Sequence, residues 1–494
     1  MALNLIIDPW IPVRRVDGSA VVIAPWQMAD AELAFPDWPR ADLNLACLEL
    51  LIGLVFLADP PADVDDWRDR RAPDPDRLRD RLAPFAPAFE LLGDGPRFLQ
   101  DREPLERAGA TPNPPDMLFI DSAGGQTLRN NADLMVRRGR YPAPEFALAA
   151  MALYTLQAHA PSGGRGNRTS MRGGGPLVTL VDPGGGLWPL VWANVPDGQP
   201  APVDALPWMR PTRTSEHGEQ VFRNDSHPME AFFGMPRRLR LLAESGQVTG
   251  VVQKPFGTNY AGWEHPLTPH YRVKAGGELL PRHPRAGPFG YRQWLGIVEK
   301  RPGNGADMAR RAQMLDLWGL RARRLADVIV AGWAMDNMKP RDFVFSRAPL
   351  LDLPDDKAEA LEGMVQAAEL VSRQLAYALS PVLAEGAARE AGRESFYAAT
   401  QATFEALATR LASAEADAAA LAAEWLAWIR AAAHNIFDRI AMPGLGDRDS
   451  KAQAEIVASR RTLGIVCAGY GKAGRDIFAA LGLAPPEQKR KGAA

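Results

Sequence analysis

Residues 161–176 read Pro-Ser-Gly-Gly-Arg-Gly-Asn-Arg-Thr-Ser-Met-Arg-Gly-Gly-Gly-Pro, with six glycines, three arginines and no acidic residue. A helical apolar run precedes this stretch and a strand-like run, 177–182, follows it. Glycine has no Cβ and reaches positive φ without strain, so such a loop can bring backbone N–H groups close to an anion. The stretch therefore predicts a phosphate-facing loop that joins a helix to a strand.

The charge around this loop is concentrated. Six arginines and a single acid, Glu145, lie between Arg137 and Arg172, whereas the whole chain has a formal net charge of −2. Local positive charge in a nearly neutral protein favours a binding site for a polyanion. The loop has neither the Gly-Lys-Ser/Thr ending of a Walker loop nor a preceding strand, as a dinucleotide fingerprint requires. A flexible surface loop, solvated by its arginines, is the alternative.

Composition places the chain among ordinary globular proteins. Its length of 494 residues is enough for two or three domains. Its residues are 46% hydrophobic and 23% charged, as is usual for a globular protein. Cys47 and Cys467 lie far apart in apolar surroundings, so we expect two reduced core residues and no disulfide. We find no basic leader with a long apolar run and no stretch of 18 apolar residues. We therefore expect a cytoplasmic protein with no membrane partner.

The pattern of apolar residues changes after residue 353. Residues 1–353 show short strands, including candidates at 177–182 and 187–194, between helices and Pro/Gly-rich loops. An Ala-rich part follows, with helical periodicity over 355–383, 389–413, 417–440 and 449–481. We predict an α+β fold in which a mixed α/β domain (1–353) precedes a four-helix bundle (354–484) and a disordered basic tail (485–494).

No catalytic pattern is evident. The chain shows no HExxH sequence, no nucleophile elbow and no helically spaced pair of carboxylates. We therefore expect no catalytic residue. Three functions stay open on the residues alone: a nucleic-acid-binding subunit, a phosphate-handling enzyme that uses the Gly/Arg-rich loop, or a helical scaffold with incidental basic loops.

Several segments, taken in order, resemble one family. The chain is similar to the CasA family, the large subunit of the type I-E CRISPR Cascade surveillance complex. The resemblance implies a non-enzymatic subunit that recognises the protospacer-adjacent motif in double-stranded DNA, promotes duplex opening and R-loop formation, and helps recruit a helicase-nuclease. It also implies guide RNA and the other Cascade subunits as partners. The matching segments are 4–13, 151–157, 171–176, 262–269 and 331–339.

The resemblance also assigns DNA-binding residues. The family's glycine loop, which lies against the minor groove of the motif, corresponds to Gly163, Gly164 and Gly166. Its motif-reading lysine corresponds to Lys254. The wedge that starts strand separation corresponds to Asn337 and Met338, where some members have a glutamine. An apolar thioether suits stacking against a base pair, and an amide suits a base edge.

Two sets of arginines are candidates for phosphate contacts. In the glycine loop these are Arg165, Arg168 and Arg172. The loop from Phe119 to Arg140 resembles the family loop that anchors the subunit on the 5′ handle of the guide RNA. Its candidate residues are Phe119, Asn131, Arg137, Arg138 and Arg140.

One segment departs from the family pattern. Some members have a Cys-rich metal-binding insertion just before the motif-reading lysine, but residues 243–248 read Ala-Glu-Ser-Gly-Gln-Val. We therefore expect no zinc, no other metal and no cofactor, and a different support for the loop that presents Lys254.

Overall fold

The computed structural model describes residues 3–108, 111–133, 136–164, 166–301, 308–322 and 324–486. Strands and helices alternate in its first part, and helices alone follow residue 350. The strands are β1 (Ile11–Arg15), β2 (Ala20–Ile23), β3 (Leu33–Pro36), β4 (Val178–Asp182), β5 (Arg238–Glu244), β6 (Gln247–Lys254), β7 (His270–Tyr271), β8 (Leu280–Pro281), β9 (Ala309–Arg310), β10 (Ala326–Asp336) and β11 (Lys339–Leu350). The helices are α1 (Ala41–Ala58), α2 (Val64–Asp69), α3 (Pro75–Leu82), α4 (Gly125–Arg129), α5 (Phe146–His159), α6 (Leu187–Ala193), α7 (Glu230–Phe233), α8 (Gln313–Arg321), α9 (Asp355–Ala378), α10 (Ala387–Leu411), α11 (Ala418–Ala441), α12 (Ser450–Cys467) and α13 (Gly471–Ala480).

The chain divides into two compact units. The first comprises Met1–Pro288 and Arg311–Ala348, and the second comprises Phe289–Arg310 and Pro349–Ala494. Strands and helices together confirm the expected α+β class. The domain division at residue 353 stays a prediction, and of the tail expected to be disordered, residues 487–494 lie outside the described part.

Two apolar helices form the centre of the first unit. Helix α1 is apolar on all sides and 89% buried, and it packs against α5, which is buried over most of its length. A helix without a polar face belongs inside a core. By length and composition α1 is also, among the described helices, the one that could cross a membrane, but its burial identifies it as a core helix.

The loop after α5 leads directly into a three-stranded sheet. Strand β4 pairs antiparallel with β10, with Val178 opposite Ala331, and β10 pairs with β11 on its other side. Because the pairing is antiparallel, the part of β10 beyond Ala331 runs past the start of β4, alongside the chain that precedes Val178. The turn between β10 and β11 is thereby carried to the end of the glycine-rich stretch.

A hairpin of β5 and β6 lies in the same unit. Arg238 pairs with Lys254, so the first residue of β5 is opposite the last residue of β6. The residues just outside this open end are Arg237 and Pro255. Beyond this end, the chain before β5 and the chain after β6 stay close together. A side chain at Gly257 would overlap the backbone of Pro236, so glycine permits this approach.

The second unit is helical. Helix α9 packs against α10, α11, α12 and α13. The indole N–H of Trp425 on α11 donates to the carbonyl of Met364 on α9 at 2.9 Å. The segment 289–310 joins this unit through Tyr291, whose ring stacks on Phe404 with 4.2 Å between ring centroids.

Two local predictions are wrong. The sequence predicts a strand over 187–194, but Leu187–Ala193 is helix α6. Its side chains are nearly all buried, so the run is apolar throughout, and such a short run does not distinguish a buried helix from a strand. The helix is held by mutual indole-to-carbonyl hydrogen bonds between Trp67 and Trp192, at 2.9 and 3.0 Å.

The helix expected over 449–481 is interrupted. Asp449 caps its start by accepting from the amide of Ala452 at 2.9 Å, but α12 ends at Cys467. Gly469 and Gly471 have φ of +96° and +74°, the left-handed conformation that ends a helix. The chain then turns into α13, so the described part of the second unit has five helices beyond residue 350.

Candidate nucleic-acid interface

The glycine loop, residues 161–176, closes on itself between α5 and β4. The amide of Ser170 donates to the carbonyl of Ala160 at 2.9 Å. Near its tip, the amide of Asn167 donates to the carbonyl of Gly164 at 3.1 Å. Gly164 and Gly166 have φ of +92° and +77°, a conformation that glycine adopts without strain. The first half of the loop is thus a tight turn built on glycine.

The turn packs against Pro255 and Phe256, the residues that follow Lys254. The amide of Phe256 donates to the carbonyl of Gly166 at 2.6 Å, and a Cβ on Gly166 would lie only 2.8 Å from the Cβ of Pro255. The Nζ of Lys254 is 3.7 Å from a carboxylate oxygen of Glu103, whose side chain is 61% exposed. An exposed ion pair of this kind is weak, so the lysine side chain is available to a ligand.

The second half of the loop packs against the turn between β10 and β11. Asn337 and Met338 form this two-residue turn with φ of +48° and +62°, and the side chain of Met338 is 45% exposed. A Cβ on Gly174 would lie 3.0 Å from the Sδ of Met338. Positive φ at both central residues is typical of a type I′ hairpin turn, in which methionine is strained. The loop thus contacts both the segment that directly follows Lys254 and the turn formed by Asn337 and Met338.

The described loop arginines are held by protein groups. Arg165 lies outside the described residues. Arg168 donates through Nε to the Oγ of Ser215 at 2.8 Å and through Nη2 to its carbonyl at 3.1 Å. Arg172 is buried, and its Nη1 lies 2.6 Å from Oε1 of Glu49. The guanidinium of Arg172 is therefore an internal anchor of the loop in this conformation and is not accessible to a ligand.

Glu49 completes a buried charge cluster beneath the loop. Its other carboxylate oxygen lies 2.7 Å from Nε2 of His159 at the end of α5. Burial alone would raise the pKa of the Glu49 carboxyl, but Arg172 and His159 lower it by more, so the carboxyl is ionised well below its usual range. The cluster ties the helix before the loop to the loop itself.

Comparison with known proteins decides the family. The family described as CRISPR-associated protein Cse1 matches residues 4–436. The chain belongs to the Cse1 family. This confirms the resemblance noted in the sequence and makes the chain a large subunit of a type I-E Cascade complex.

Solved structures share the fold of this Cse1-family chain. The Cse1 of Thermobifida fusca is 17% identical with a TM-score of 0.74, covering 97% of this chain and 98% of that one. The CasA of Thermus thermophilus is 20% identical with a TM-score of 0.71, covering 98% and 100%. A chain of a structure described as a CRISPR RNA-guided surveillance complex is 16% identical with a TM-score of 0.59, covering 94% and 99%.

The second basic loop of this Cse1-family chain, residues 119–140, contains ion pairs between its own residues. Nη2 of Arg140 lies 2.6 Å from a carboxylate oxygen of Asp121, and Arg138 pairs with Asp133 at 2.5 Å. Phe119 is buried, and its ring stacks on Tyr141 with 4.0 Å between centroids. Most of the charge predicted for this loop is therefore neutralised within it.

Two candidates of this loop remain accessible. Arg137 is exposed and has no ion pair or hydrogen bond within the described part of the chain. Asn131 is exposed, and its φ of +49° is a conformation that asparagine tolerates. Its Oδ1 accepts from Arg138 at 3.0 Å.

Sequence reasoning missed two residues of the site, Glu49 and Arg237. Apart from Asp42 in the first turn, Glu49 is the only acid of α1, and its isolation in an apolar run was the available signal. Arg237 lies in an arginine-rich strand start, Arg237-Arg238-Leu239-Arg240, and nothing local distinguishes it from the two arginines that follow. Within the described ranges, no group of three or more His, Cys, Asp or Glu side chains is arranged to hold a metal ion.

Proposed function

We propose that this Cse1-family subunit reads the protospacer-adjacent motif in double-stranded DNA with the glycine loop and Lys254, and opens the duplex with Asn337 and Met338. The observation that carries the proposal is the convergence at one loop. Gly166 contacts the segment after Lys254, and Gly174 lies against Met338. A lysine and an exposed methionine on either side of a glycine turn fit a groove contact next to a wedge.

The arrangement suits the minor groove for a physical reason. Glycine lets the backbone approach a narrow groove because no side chain keeps the two surfaces apart. The minor groove offers few distinguishing groups, so a lysine donor reads acceptors without fixing every base. A partly exposed thioether can enter between base pairs at the cost of unstacking one step.

The remaining roles belong to the same proposal. We propose that the loop 119–140 contacts the guide RNA, that the subunit helps R-loop formation and recruits a helicase-nuclease, and that it acts in the cytoplasm by binding and without catalysis. Arg137 and Asn131 are the accessible candidates for the RNA contact. In such complexes, base pairing by the guide reads most of the sequence and the protein reads a short flanking motif.

The test is binding of a reconstituted Cascade, with guide RNA, to matched duplex DNA whose flanking bases are varied. We expect Lys254→Ala to reduce discrimination between flanking sequences about tenfold, the size of one groove contact. We expect the double variant Asn337→Ala/Met338→Ala to bind duplex but to open it slowly, as measured by fluorescence of a base analogue beside the motif.

The matched control is Lys472→Ala, which removes an exposed lysine on α13. It should leave discrimination and opening unchanged. Equal discrimination by the wild type and Lys254→Ala would show that this lysine does not read the motif. Normal opening by the double variant would remove the wedge from the proposal.

A further inference from the structure

Arg237 is a further cation that lies beneath the glycine loop. Arg237 precedes β5, and its backbone is fixed to α5 because its amide donates to Oε1 of Gln157 and its carbonyl accepts from Nε2, both at 3.0 Å. The side chain is turned toward the loop, where Nη2 donates to the carbonyl of Pro161. A Cβ on Gly163 would overlap Nη1, so the guanidinium lies directly against this exposed glycine.

Arg237 has no counter-charge among the residues that the structure describes. It is 5% exposed, and within the described part of the chain no carboxylate pairs with it and Nη1 donates no hydrogen bond. The next arginines differ, because Arg238 pairs with Asp101 at 2.5 Å and Arg240 with Glu106 at 3.1 Å. Burial lowers the pKa of Arg237 to about 10, so it remains a cation at neutral pH.

A buried cation without a partner is costly for a folded protein, and an external anion would offset that cost. Nearby donors would help to hold such an anion. The amides of Gly164 and Gly166 have no acceptor among the described residues. Backbone amides without acceptors, at glycines that put no side chain in the way, can contribute donors to such an anion site.

We propose that Arg237 binds a backbone phosphate of the target duplex at the base of the glycine loop, through Nη1. This inference rests on the proposed function, because that function places the duplex on this loop. The contact would fix the position of the DNA and carry no base preference, whereas Lys254 would read the bases. It also gives a reason for glycine at 163, where any side chain would displace the guanidinium.

The experiment is a cycle between a protein change and a DNA change. The reconstituted Cascade with guide RNA binds matched duplexes in which single phosphates near the motif are replaced, one at a time, by neutral methylphosphonate linkages. For the wild type we expect one linkage to weaken binding about tenfold, the size of a charge-assisted hydrogen bond. Arg237→Gln should weaken binding to ordinary DNA by about the same factor for all flanking bases. Its affinity should not fall further when that one phosphate is replaced by the neutral linkage. Its dependence of log K on log salt should be less steep by about 0.9.

Two further variants keep the inference falsifiable. Arg240→Gln makes the same change at an arginine already paired with Glu106, and it should retain the wild-type response to every linkage. Gly163→Ala should abolish the response at the same linkage as Arg237→Gln, because its methyl group displaces the guanidinium. Gly163 does not have positive φ, so the alanine adds no backbone strain, and this variant carries the test if Arg237→Gln does not fold.

The outcomes separate the two proposals. If Arg237→Gln and the neutral linkages weaken binding additively at every position, Arg237 only supports the loop and the phosphate site is wrong. If the wild type shows no discrimination between flanking bases but the cycle still couples Arg237 to one phosphate, the motif-reading function fails and the phosphate site stands.

Discussion

The glycine loop and the loop 119–140 are both rich in arginine and differ in what they offer a ligand. Both are rich in arginine, but Arg138 and Arg140 pair with acids of their own loop, Asp133 and Asp121. The described arginines of the glycine loop are also bonded internally. Among the described residues, two cations beside this loop are not held by a close ion pair, Lys254 and Arg237, and both come from another part of the chain. A count of arginines therefore does not show which guanidinium groups are already held by protein groups, which the structure shows for Arg138, Arg140, Arg168 and Arg172.

The difference follows from where the acids lie. A guanidinium within 4 Å of a carboxylate contributes little net field beyond the pair. Asp121 lies 19 residues before Arg140, and Asp133 lies 5 residues before Arg138. Glu49, in contrast, lies 123 residues before Arg172. Glycine in one loop brings other elements close, while acids in the other loop hold it together.

The largest expected effect concerns the anchor of the glycine loop. Glu49→Gln removes the ion pair and leaves the buried guanidinium of Arg172 without a counter-charge, so we expect a loss of about 3 kcal/mol in the free energy of unfolding. Urea unfolding of the purified protein measures it. Glu32→Gln is the control, because Glu32 is 75% exposed and pairs with Arg15 at 2.6 Å. The control should cost less than about 1 kcal/mol, and equal losses would mean that burial of the pair is irrelevant.

We also expect the effect of Glu49→Gln on the free energy of unfolding to depend on pH. The pKa of Glu49 in the folded protein is lower than its ordinary value of 4.5, so ionised Glu49 stabilises the fold at pH values above 4.5. This contribution declines as pH falls below 4.5 toward the folded-state pKa. The difference in unfolding free energy between wild type and Glu49→Gln should therefore be constant from pH 7 to pH 5 and shrink below about 4.5. A difference that grows in acid would contradict this sign.

Much of the fold was predictable from local pattern. The α+β class, the helix before the glycine loop and the C-terminal helices follow from periodicity and capping residues, and the turn at 337–338 from its polar sequence. Helix α6 was not predictable, because a short, wholly apolar run fits either a helix or a strand. The Glu49–Arg172 pair and the placement of Arg237 depend on contacts between distant segments, which no local pattern encodes. The family resemblance supplied the candidate residues, and their convergence required the three-dimensional structure.

A smaller effect compares one glycine from each loop. Gly175 and Gly139 have nearly the same φ, +64° and +63°, but a Cβ on Gly175 would overlap the carbonyl oxygen of Trp333, whereas a Cβ on Gly139 meets nothing within 4 Å. Gly139→Ala should cost about 1 kcal/mol, from positive φ alone. Gly175→Ala should cost about 2 kcal/mol, because the backbone must also move to accommodate the methyl group. Thermal unfolding measures both. Equal costs would show that the glycine loop is not held closely against β10.

A still smaller effect tests strain at the proposed wedge. Met338 has φ of +62° in an exposed turn, whereas Asn131 in the other loop has φ of +49°. Met338→Gly should stabilise the protein by about 0.5–1 kcal/mol, since glycine adopts this conformation freely. Asn131→Gly should change stability by less than about 0.5 kcal/mol, because asparagine already tolerates it. If Met338→Gly stabilises the protein and also slows DNA opening, the methionine side chain is retained for function at the expense of stability. If it destabilises the protein, packing of the thioether on Gly174 outweighs the strain.

The smallest expected effect concerns the charge of the loop 119–140. If this loop binds guide RNA, Arg137→Ala should weaken binding of the RNA handle about threefold and make log K less steep against log salt by about 0.7, the value for one phosphate of a single strand. Asp133→Asn should do the opposite, because it releases Arg138 from its ion pair while the backbone stays as it is. Fluorescence anisotropy of a labelled handle oligonucleotide at several salt concentrations measures both changes.

Tighter binding by Asp133→Asn would show that the acids of this loop, and not a shortage of arginine, limit its affinity for phosphate. Weaker binding would mean that the Arg138–Asp133 pair holds the loop in the shape that the RNA requires, and the two basic loops would then both act through shape more than through free charge.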